Sequence, residues 1–151
     1  MKPNLRKVRV ISREKSKMNS ERGRELKKTL VVLLDTNFIL TCIKQKIDFF
    51  EWFKLNGFSI IIPFEVVNEL KMLSGRSKGS LSLQAKFAIK LLKQNKFQEI
   101  DLEGGDCADK VIVNYARKHS DLIIATLDKE MKDQMKNKFV TIRQGKILEI
   151  I

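Results

Sequence analysis

Histidine and cysteine are scarce in this chain of 151 residues, and their scarcity excludes several kinds of site. His119 is the only histidine, so no other histidine can serve in a Ser/His/Asp triad. A zinc site with several histidines is also ruled out. Because it lies at the end of a predicted helix, where a polar side chain can satisfy terminal carbonyls, we assign His119 a structural role. The two cysteines, Cys42 and Cys107, form no CxxC pattern, which favours a reducing, cytoplasmic setting over a disulfide framework.

Long apolar runs and glycine-rich phosphate-binding motifs are also missing. The longest apolar runs, such as Leu30–Leu34 and Ile60–Ile62, fall far short of the roughly 18 residues that a membrane helix needs. The beginning of the chain contains no apolar segment typical of an export signal. Neither GxGxxG nor GxxxxGK[ST] occurs. We therefore expect a cytoplasmic protein that has no membrane partner and no nucleotide-binding loop of these two types.

Positive charge is abundant and unevenly distributed. The net charge is +12 at pH 7, and residues 1–29 hold 11 Lys/Arg against three Glu, a net of +8. Since neutralising phosphates releases condensed counterions, this excess favours a polyanionic partner, although a solvated tail would have the same composition. We interpret residues 1–28 as a basic N-terminal arm and residues 29–151 as one domain. The candidate phosphate-contacting residues of the arm are Lys2, Arg6, Lys7, Arg9, Arg13, Lys15, Lys17, Arg22, Arg24, Lys27 and Lys28.

Short apolar runs alternate with helical patterns after Thr29. The predicted strands are 30–34, 59–62, 97–100, 122–125, 139–142 and 147–150, and the predicted helices are 38–46, 48–55, 63–73, 81–93, 106–119 and 129–136. Strands separated by helices are typical of βαβ crossovers. The sequence therefore predicts a single three-layer α/β domain with a mostly parallel central sheet flanked by helices.

Acidic residues follow two of the predicted strands. Asp35 comes directly after the first strand, and Asp128 follows the fourth strand together with Thr126. In an open α/β sheet, ligands gather beyond the carboxyl ends of the strands, so both acids are placed for a site. Each could equally be a helix N-cap, a role that Asp often fills.

Two further acids are expected on helix faces that turn toward the sheet. Glu69 lies three residues after Val66 in an apolar stripe, and Asp109 lies three residues before Ile112 in another. A carboxylate on a buried face needs a partner, a proton or a cation. Asp106 and Asp109 have an alternative role, because acids at a helix start stabilise that helix.

Together these acids predict a metal site beside a basic surface. Four carboxylates in one cleft repel each other unless a counter-charge is present, and hard oxygen ligands select Mg²⁺ or Mn²⁺ over zinc. A carboxylate-held metal next to a surface that attracts phosphates is equipped to hydrolyse a phosphodiester bond.

Four segments, in this order, resemble the PIN-domain nucleases. They are LLDTNFIL at 33–40, IIPFEVVNELKML at 61–73, ADKVIVNYA at 108–116 and LIIATLDKEMK at 122–132. The resemblance implies a PIN-like fold and a metal-dependent endoribonuclease that uses Mg²⁺ or Mn²⁺ and acts on single-stranded or structured RNA. The catalytic and metal-binding residues that it implies are Asp35, Glu69, Asp109 and Asp128.

The resemblance also implies supporting residues. Asn37 matches a polar residue that orients a metal ligand or a water, and Thr126 matches a hydroxyl near the last acid. Asp106 is an additional acid whose supporting role the pattern leaves open. The basic arm would then hold RNA, the expected partner.

Within the family, the chain is most similar to the archaeal and eukaryotic PIN proteins of ribosomal RNA processing, so we expect a role in processing ribosomal or other structured RNA. Two alternatives stay open: a toxin ribonuclease restrained by an antitoxin, and a non-cleaving PIN-like RNA-binding scaffold. A homodimer is a further possibility, since the aromatic residues of the second predicted helix (Phe49, Phe50, Trp52 and Phe53) fit either an interface or core packing.

Overall fold

The computed structural model describes residues 29–76, 78–104 and 108–151. The proposed arm at 1–28, Asp106 and Cys107 lie outside these residues, so their predicted roles stay predictions. Within the described part of the chain, no helix is both long enough and apolar enough to cross a membrane.

All the predicted strands and helices are present, with shifts at their ends. In chain order they are β1 (Leu30–Leu34), α1 (Thr36–Lys44), α2 (Phe49–Leu55), β2 (Phe58–Pro63), α3 (Phe64–Gly75), α4 (Ser80–Lys93), β3 (Gln98–Ile100), α5 (Ala108–Lys118), β4 (Ile123–Ala125), α6 (Lys129–Asp133), β5 (Phe139–Arg143) and β6 (Ile147–Ile150). Helix α1 begins two residues earlier than predicted because Asp35 caps it. Helix α6 is three residues shorter than predicted.

The strands form one sheet in the order β3-β2-β1-β4-β5-β6. The first five are parallel, and β6 pairs antiparallel with β5 at the edge. The central strand β1 pairs with β4 so that Leu34 lies beside Ala125. Because parallel strands end at the same edge of a sheet, the residues that follow β1 and β4 are neighbours.

The aromatic residues of α2 belong to the core. Phe49, Phe50 and Phe53 are buried, while Trp52 is half-buried. The rings of Phe49 and Phe53 lie 6.2 and 6.3 Å from that of Phe38, centre to centre. The core-packing interpretation is therefore confirmed and the interface interpretation is wrong for the three phenylalanines. The homodimer stays a prediction that this cluster no longer supports.

Candidate active site

Asp35 is the most deeply buried acid in the described structure and lies at the carboxyl end of β1. It is 2% exposed. Its Oδ1 accepts a hydrogen bond from the backbone N–H of Thr36 (2.8 Å), and its Oδ2 accepts one from the hydroxyl of Thr126 (2.9 Å). Burial raises the pKa of Asp35 to about 7; the charges of Asp109 and Glu69 also raise it, while the two hydrogen bonds lower it.

Thr126 links Asp35 to the acid that follows β4. Its hydroxyl is buried, donates to Asp35 and accepts a hydrogen bond from the backbone N–H of Asp128 (3.2 Å). Asp128 is half-buried and caps α6 through Oδ1, which accepts from the N–H groups of Glu130 and Met131. Asp35 and Asp128 are thus both helix N-caps, and each uses one carboxyl oxygen for the cap. The cap interpretation and the site interpretation are compatible.

Glu69 lies at the rim of the site, so the expectation that it faces the core is wrong. The side chain is exposed, whereas Glu65, Val66 and Leu70 on the same helix are buried. The buried face of α3 is rotated from the predicted stripe, which leaves Glu69 at its border. Its carboxylate still reaches the site, because the hydroxyl of Thr36 donates a hydrogen bond to Oε1 (2.8 Å).

Asp109 is also more open than the helical spacing suggests. It lies in the first turn of α5 and is exposed as a residue, which corrects the expectation that it points inward. Partial burial of its carboxyl group nevertheless raises its pKa, and the negative charges of Asp128 and Glu69 raise it further. The four predicted acids, from four separate segments, therefore act on one another electrostatically at one edge of the sheet.

The structure places the two predicted supporting residues differently with respect to the acids. Asn37 is exposed on α1 and, within the described residues, forms no hydrogen bond with the four acids. Its neighbour Thr36, which is not among the predicted site residues, supplies both a backbone donor to Asp35 and a hydroxyl donor to Glu69. The sequence signal for this role of Thr36 is that a residue with a hydroxyl group directly follows Asp35.

Glu65 is a second buried acid, and the apolar spacing of its helix does not predict its burial. It is 6% exposed and lies in the first turn of α3. Its Oε1 accepts from the N–H of Leu102 (3.3 Å), and its Oε2 accepts from the N–H of Gly104 (2.9 Å). The sequence showed an acid one helical turn before Glu69, but its partners lie in a loop 37 to 39 positions away.

The donor set suits a hard divalent cation. All four acids offer carboxylate oxygens, and a cation would relieve the repulsion that they exert on one another. Between residues 29 and 151, leaving aside 77 and 105–107, no three acidic, cysteine or histidine side chains stand ready as a metal site. The thiol of Cys42 is buried, with its pKa raised by burial to about 12, and takes no part.

Comparison with known sequences identifies related proteins. The family described as a PIN-like domain matches residues 32–144. Ribonuclease VapC4 of Methanocaldococcus jannaschii is 33% identical over 127 residues, which cover 79% of this chain and 95% of that protein. Ribonuclease VapC9 of Archaeoglobus fulgidus is 30% identical, covering 83% and 89%. The rRNA-processing protein fcf1 of Schizosaccharomyces pombe is 29% identical, covering 70% of this chain and 53% of that protein.

Solved structures show the same fold. The PIN domain endonuclease Utp24 superposes with a TM-score of 0.64 at 28% identity, covering 79% of this chain and 90% of that one. VapBC2 from Rickettsia felis, bound to a promoter DNA fragment, superposes with a TM-score of 0.57, covering 76% and 100%. At 18% identity this second likeness concerns the fold alone. The predicted fold class is confirmed.

Proposed function

Because the chain belongs to the PIN-like domain family, we propose that it is a metal-dependent endoribonuclease whose catalytic and metal-binding residues are Asp35, Glu69, Asp109 and Asp128. The observation that carries this proposal is the gathering of four carboxyl groups at one sheet edge, in a chain whose relatives are named ribonucleases. Like charges held together cost folding stability, so such a cluster is typical of a functional site that binds a cation.

Each part of the site has a distinct task in this proposal. A bound Mg²⁺ or Mn²⁺ would polarise the scissile phosphate and lower the pKa of water. Thr126 and the backbone of Thr36 hold the buried carboxyl group of Asp35 in one orientation, and the Thr36 hydroxyl turns Glu69 toward the same space. Asp35 and Thr126 are thus the fixed part of the site. Glu69 and Asp109, which are exposed, are the part that RNA reaches from solvent.

The direct test is RNA cleavage by the purified protein. We expect cleavage with Mn²⁺ or Mg²⁺ and none when EDTA removes the metal. A folded protein that binds RNA without cutting it in either metal would refute the enzyme proposal and favour the non-cleaving scaffold.

Substitution of Glu69 by glutamine tests the metal-binding role of the rim. The amide oxygen of the new side chain could still accept the hydrogen bond from Thr36, so we expect the melting temperature to change by no more than about 2 °C. Cleavage should fall by about 100-fold or more, since even residues around metal ligands contribute 10- to 100-fold. The matched control is Glu51→Gln, which removes the same charge from an exposed position on α2. Full activity in Glu69→Gln would remove this residue from the site.

We propose a ribosomal or other structured RNA precursor as the substrate. The support is the similarity to fcf1 and to Utp24, which are named as an rRNA-processing protein and an endonuclease. The chain spans only about half of fcf1, so this assignment rests on the domain alone. Cleavage at a discrete position in a precursor ribosomal RNA, compared with an unstructured RNA of equal length, would support it.

The toxin alternative has its own support. The two VapC ribonucleases match this chain over nearly their whole length. If the protein is a toxin, its expression arrests growth, an inactive variant does not, and a small protein encoded next to it restores growth by binding. Expression without growth arrest would favour the processing role.

The basic residues ahead of Thr29 should govern how tightly RNA binds. For binding to a single-stranded nucleic acid, the slope of log K against log salt becomes shallower by about 0.7 for each phosphate contact that is removed. Replacing four of these residues with glutamine should therefore flatten the slope by up to about 3, with cleavage at saturating RNA preserved; the four are Arg22, Arg24, Lys27 and Lys28. Filter binding from about 50 to about 300 mM salt measures the slope. An unchanged slope would show that these residues do not contact phosphate.

A further inference from the structure

The loop that follows β3 is held from both sides by packed groups. On one side the buried carboxylate of Glu65 accepts from the N–H groups of Leu102 and Gly104. On the other side Gly104 lies against Val111 of α5, so closely that a Cβ built on Gly104 would be 1.5 Å from Val111 Cγ1. No side chain fits at position 104, and the contact requires glycine for close approach. We call this arrangement of Glu65, Gly104 and Val111 the loop clamp.

The loop clamp connects two of the proposed metal ligands. Helix α3 carries Glu65 and, one turn later, Glu69; residues spaced by four lie on the same side of a helix. Helix α5 carries Asp109 two positions before Val111. A chain of direct contacts therefore runs from the helix of Glu69, through Glu65 and Gly104, to the helix of Asp109. Few other contacts join α3 and α5, whereas α3 packs extensively on α4.

Glu65 itself has little capacity left for a cation. Both of its oxygens accept backbone hydrogen bonds, and the side chain is 6% exposed. A buried carboxylate is costly unless such donors compensate it, so the two amides and Glu65 stabilise each other and together fix the loop. Because the two amides bind different oxygens of Glu65, a glutamine in the same orientation would place its NH2 group, a donor, against one of them.

We propose that Glu65 is a positioning residue that sets the separation of Glu69 and Asp109, and thereby the affinity of the site for a divalent cation. This inference rests on the proposed function. It assigns to Glu65 a role in orienting ligands that it does not touch. Residues around metal ligands typically contribute about 10- to 100-fold to metal affinity.

The test measures Mn²⁺ binding to the full-length protein without RNA, by calorimetry or by the electron paramagnetic resonance of free Mn²⁺. Glu65→Gln and Gly104→Ala break the loop clamp from opposite sides, and we expect each to weaken Mn²⁺ binding by about 10-fold or more. Glu103→Gln is the control, because it removes a charge from an exposed residue of the same loop. Glu65→Asp keeps both acceptor oxygens on a shorter side chain, so we expect it to fold even if Glu65→Gln does not. It should also weaken Mn²⁺ binding, because the shorter side chain shifts the loop.

Two readouts separate positioning from a merely structural role. Hydrogen exchange at the Gly104 amide, measured without metal, should accelerate in Glu65→Gln and stay slow in Glu103→Gln. Mn²⁺ affinity equal to wild type in variants that melt at a lower temperature would overturn the proposal and leave Glu65 a structural residue. If the wild-type protein binds no Mn²⁺ at all, the proposed function fails first and the inference falls with it.

Discussion

The Asp35→Asn variant is expected to lose RNA cleavage altogether while unfolding at a higher temperature than the wild type when metal is absent. The variant removes the most buried negative charge of the acid cluster but preserves its hydrogen-bonding geometry. The asparagine oxygen can accept from the Thr36 N–H, and the amide can donate to Thr126, whose hydroxyl has Met131 Sδ at 3.9 Å as another acceptor. Cleavage assays with Mn²⁺ and thermal melts in EDTA measure the two effects. Equal cleavage by wild type and variant would identify a contaminating nuclease.

The stability gain should depend on pH in a definite direction. The pKa of Asp35 is about 7 in the folded protein, compared with 3.8 for an aspartate that is fully exposed to water, as in the unfolded chain. Between these two values the unfolded chain is ionised at this position while the folded one keeps its proton, so wild-type stability falls as pH rises. The total loss is on the order of 4 kcal/mol above pH 7, at about 1.4 kcal/mol per unit. Asparagine has no such loss.

Urea unfolding in EDTA at about pH 4.5, 6 and 8 checks this dependence. The difference in the free energy of unfolding between Asp35→Asn and wild type should widen as the pH rises toward the folded pKa of Asp35 and stay constant above it. Asp121→Asn, an exposed acid in the turn before β4, is the control and should show no widening. A difference that is the same at the lowest and the highest pH would contradict the burial of the Asp35 charge.

The second large effect is expected from Thr126→Val, which keeps the shape of the side chain and removes its hydroxyl. Oδ2 of Asp35 then loses its donor in a buried position, and the N–H of the half-buried Asp128 loses its acceptor. Leaving such groups unsatisfied costs about 2–3 kcal/mol, or roughly 5–10 °C in melting temperature. The pKa of Asp35 should rise further, because the hydrogen bond from Thr126 lowers it. Cleavage should fall by about 10- to 100-fold.

A double-mutant cycle with Asp35→Asn isolates the hydrogen bond from the packing of Thr126. If the bond to the charged carboxylate is what matters, Thr126→Val should cost at least about 1 kcal/mol less in the Asp35→Asn background. Thr41→Val removes a half-buried hydroxyl on α1 that forms no hydrogen bond with the four acids in the described part of the chain, and it provides the control. Identical costs in both backgrounds would show that the hydroxyl contributes nothing to holding Asp35.

Local signals explain why the fold and half of the site were predictable. The run Leu30–Leu34 has the composition of a strand buried on both faces, and that strand is the centre of the sheet. Asp35 and Asp128 could be placed because a parallel sheet fixes where its strands end. Their cap role and their site role arise from the same position, one residue before a helix.

Non-local contacts explain what the sequence could not reveal. The spacing of apolar residues in α3 fixes the buried face of the helix only to within about one residue, or about 100° of rotation. Because of that error, Glu69 was predicted to be buried although it is exposed, and the burial of Glu65 was not predicted. Glu65 is stable in the interior because two amides from a distant loop reach it. No periodicity in the helix encodes that loop. The hydroxyl of Thr36 was overlooked for the same reason, since its acceptor lies 33 positions away.

The pairing of β1 with β4 has a consequence for synthesis of the protein. Thr126 and Asp35 are 91 positions apart, so during translation the middle strand is completed on its β2 side long before its other side finds a partner. At about 5–20 residues per second, that interval lasts several seconds, during which the nascent chain presents a row of unpaired backbone groups. A polypeptide interrupted before Ile123 would keep this open half-sheet. Such a product would expose a strand edge of the kind that pairs with other chains, and the acid cluster is complete only once Asp128 has been synthesised.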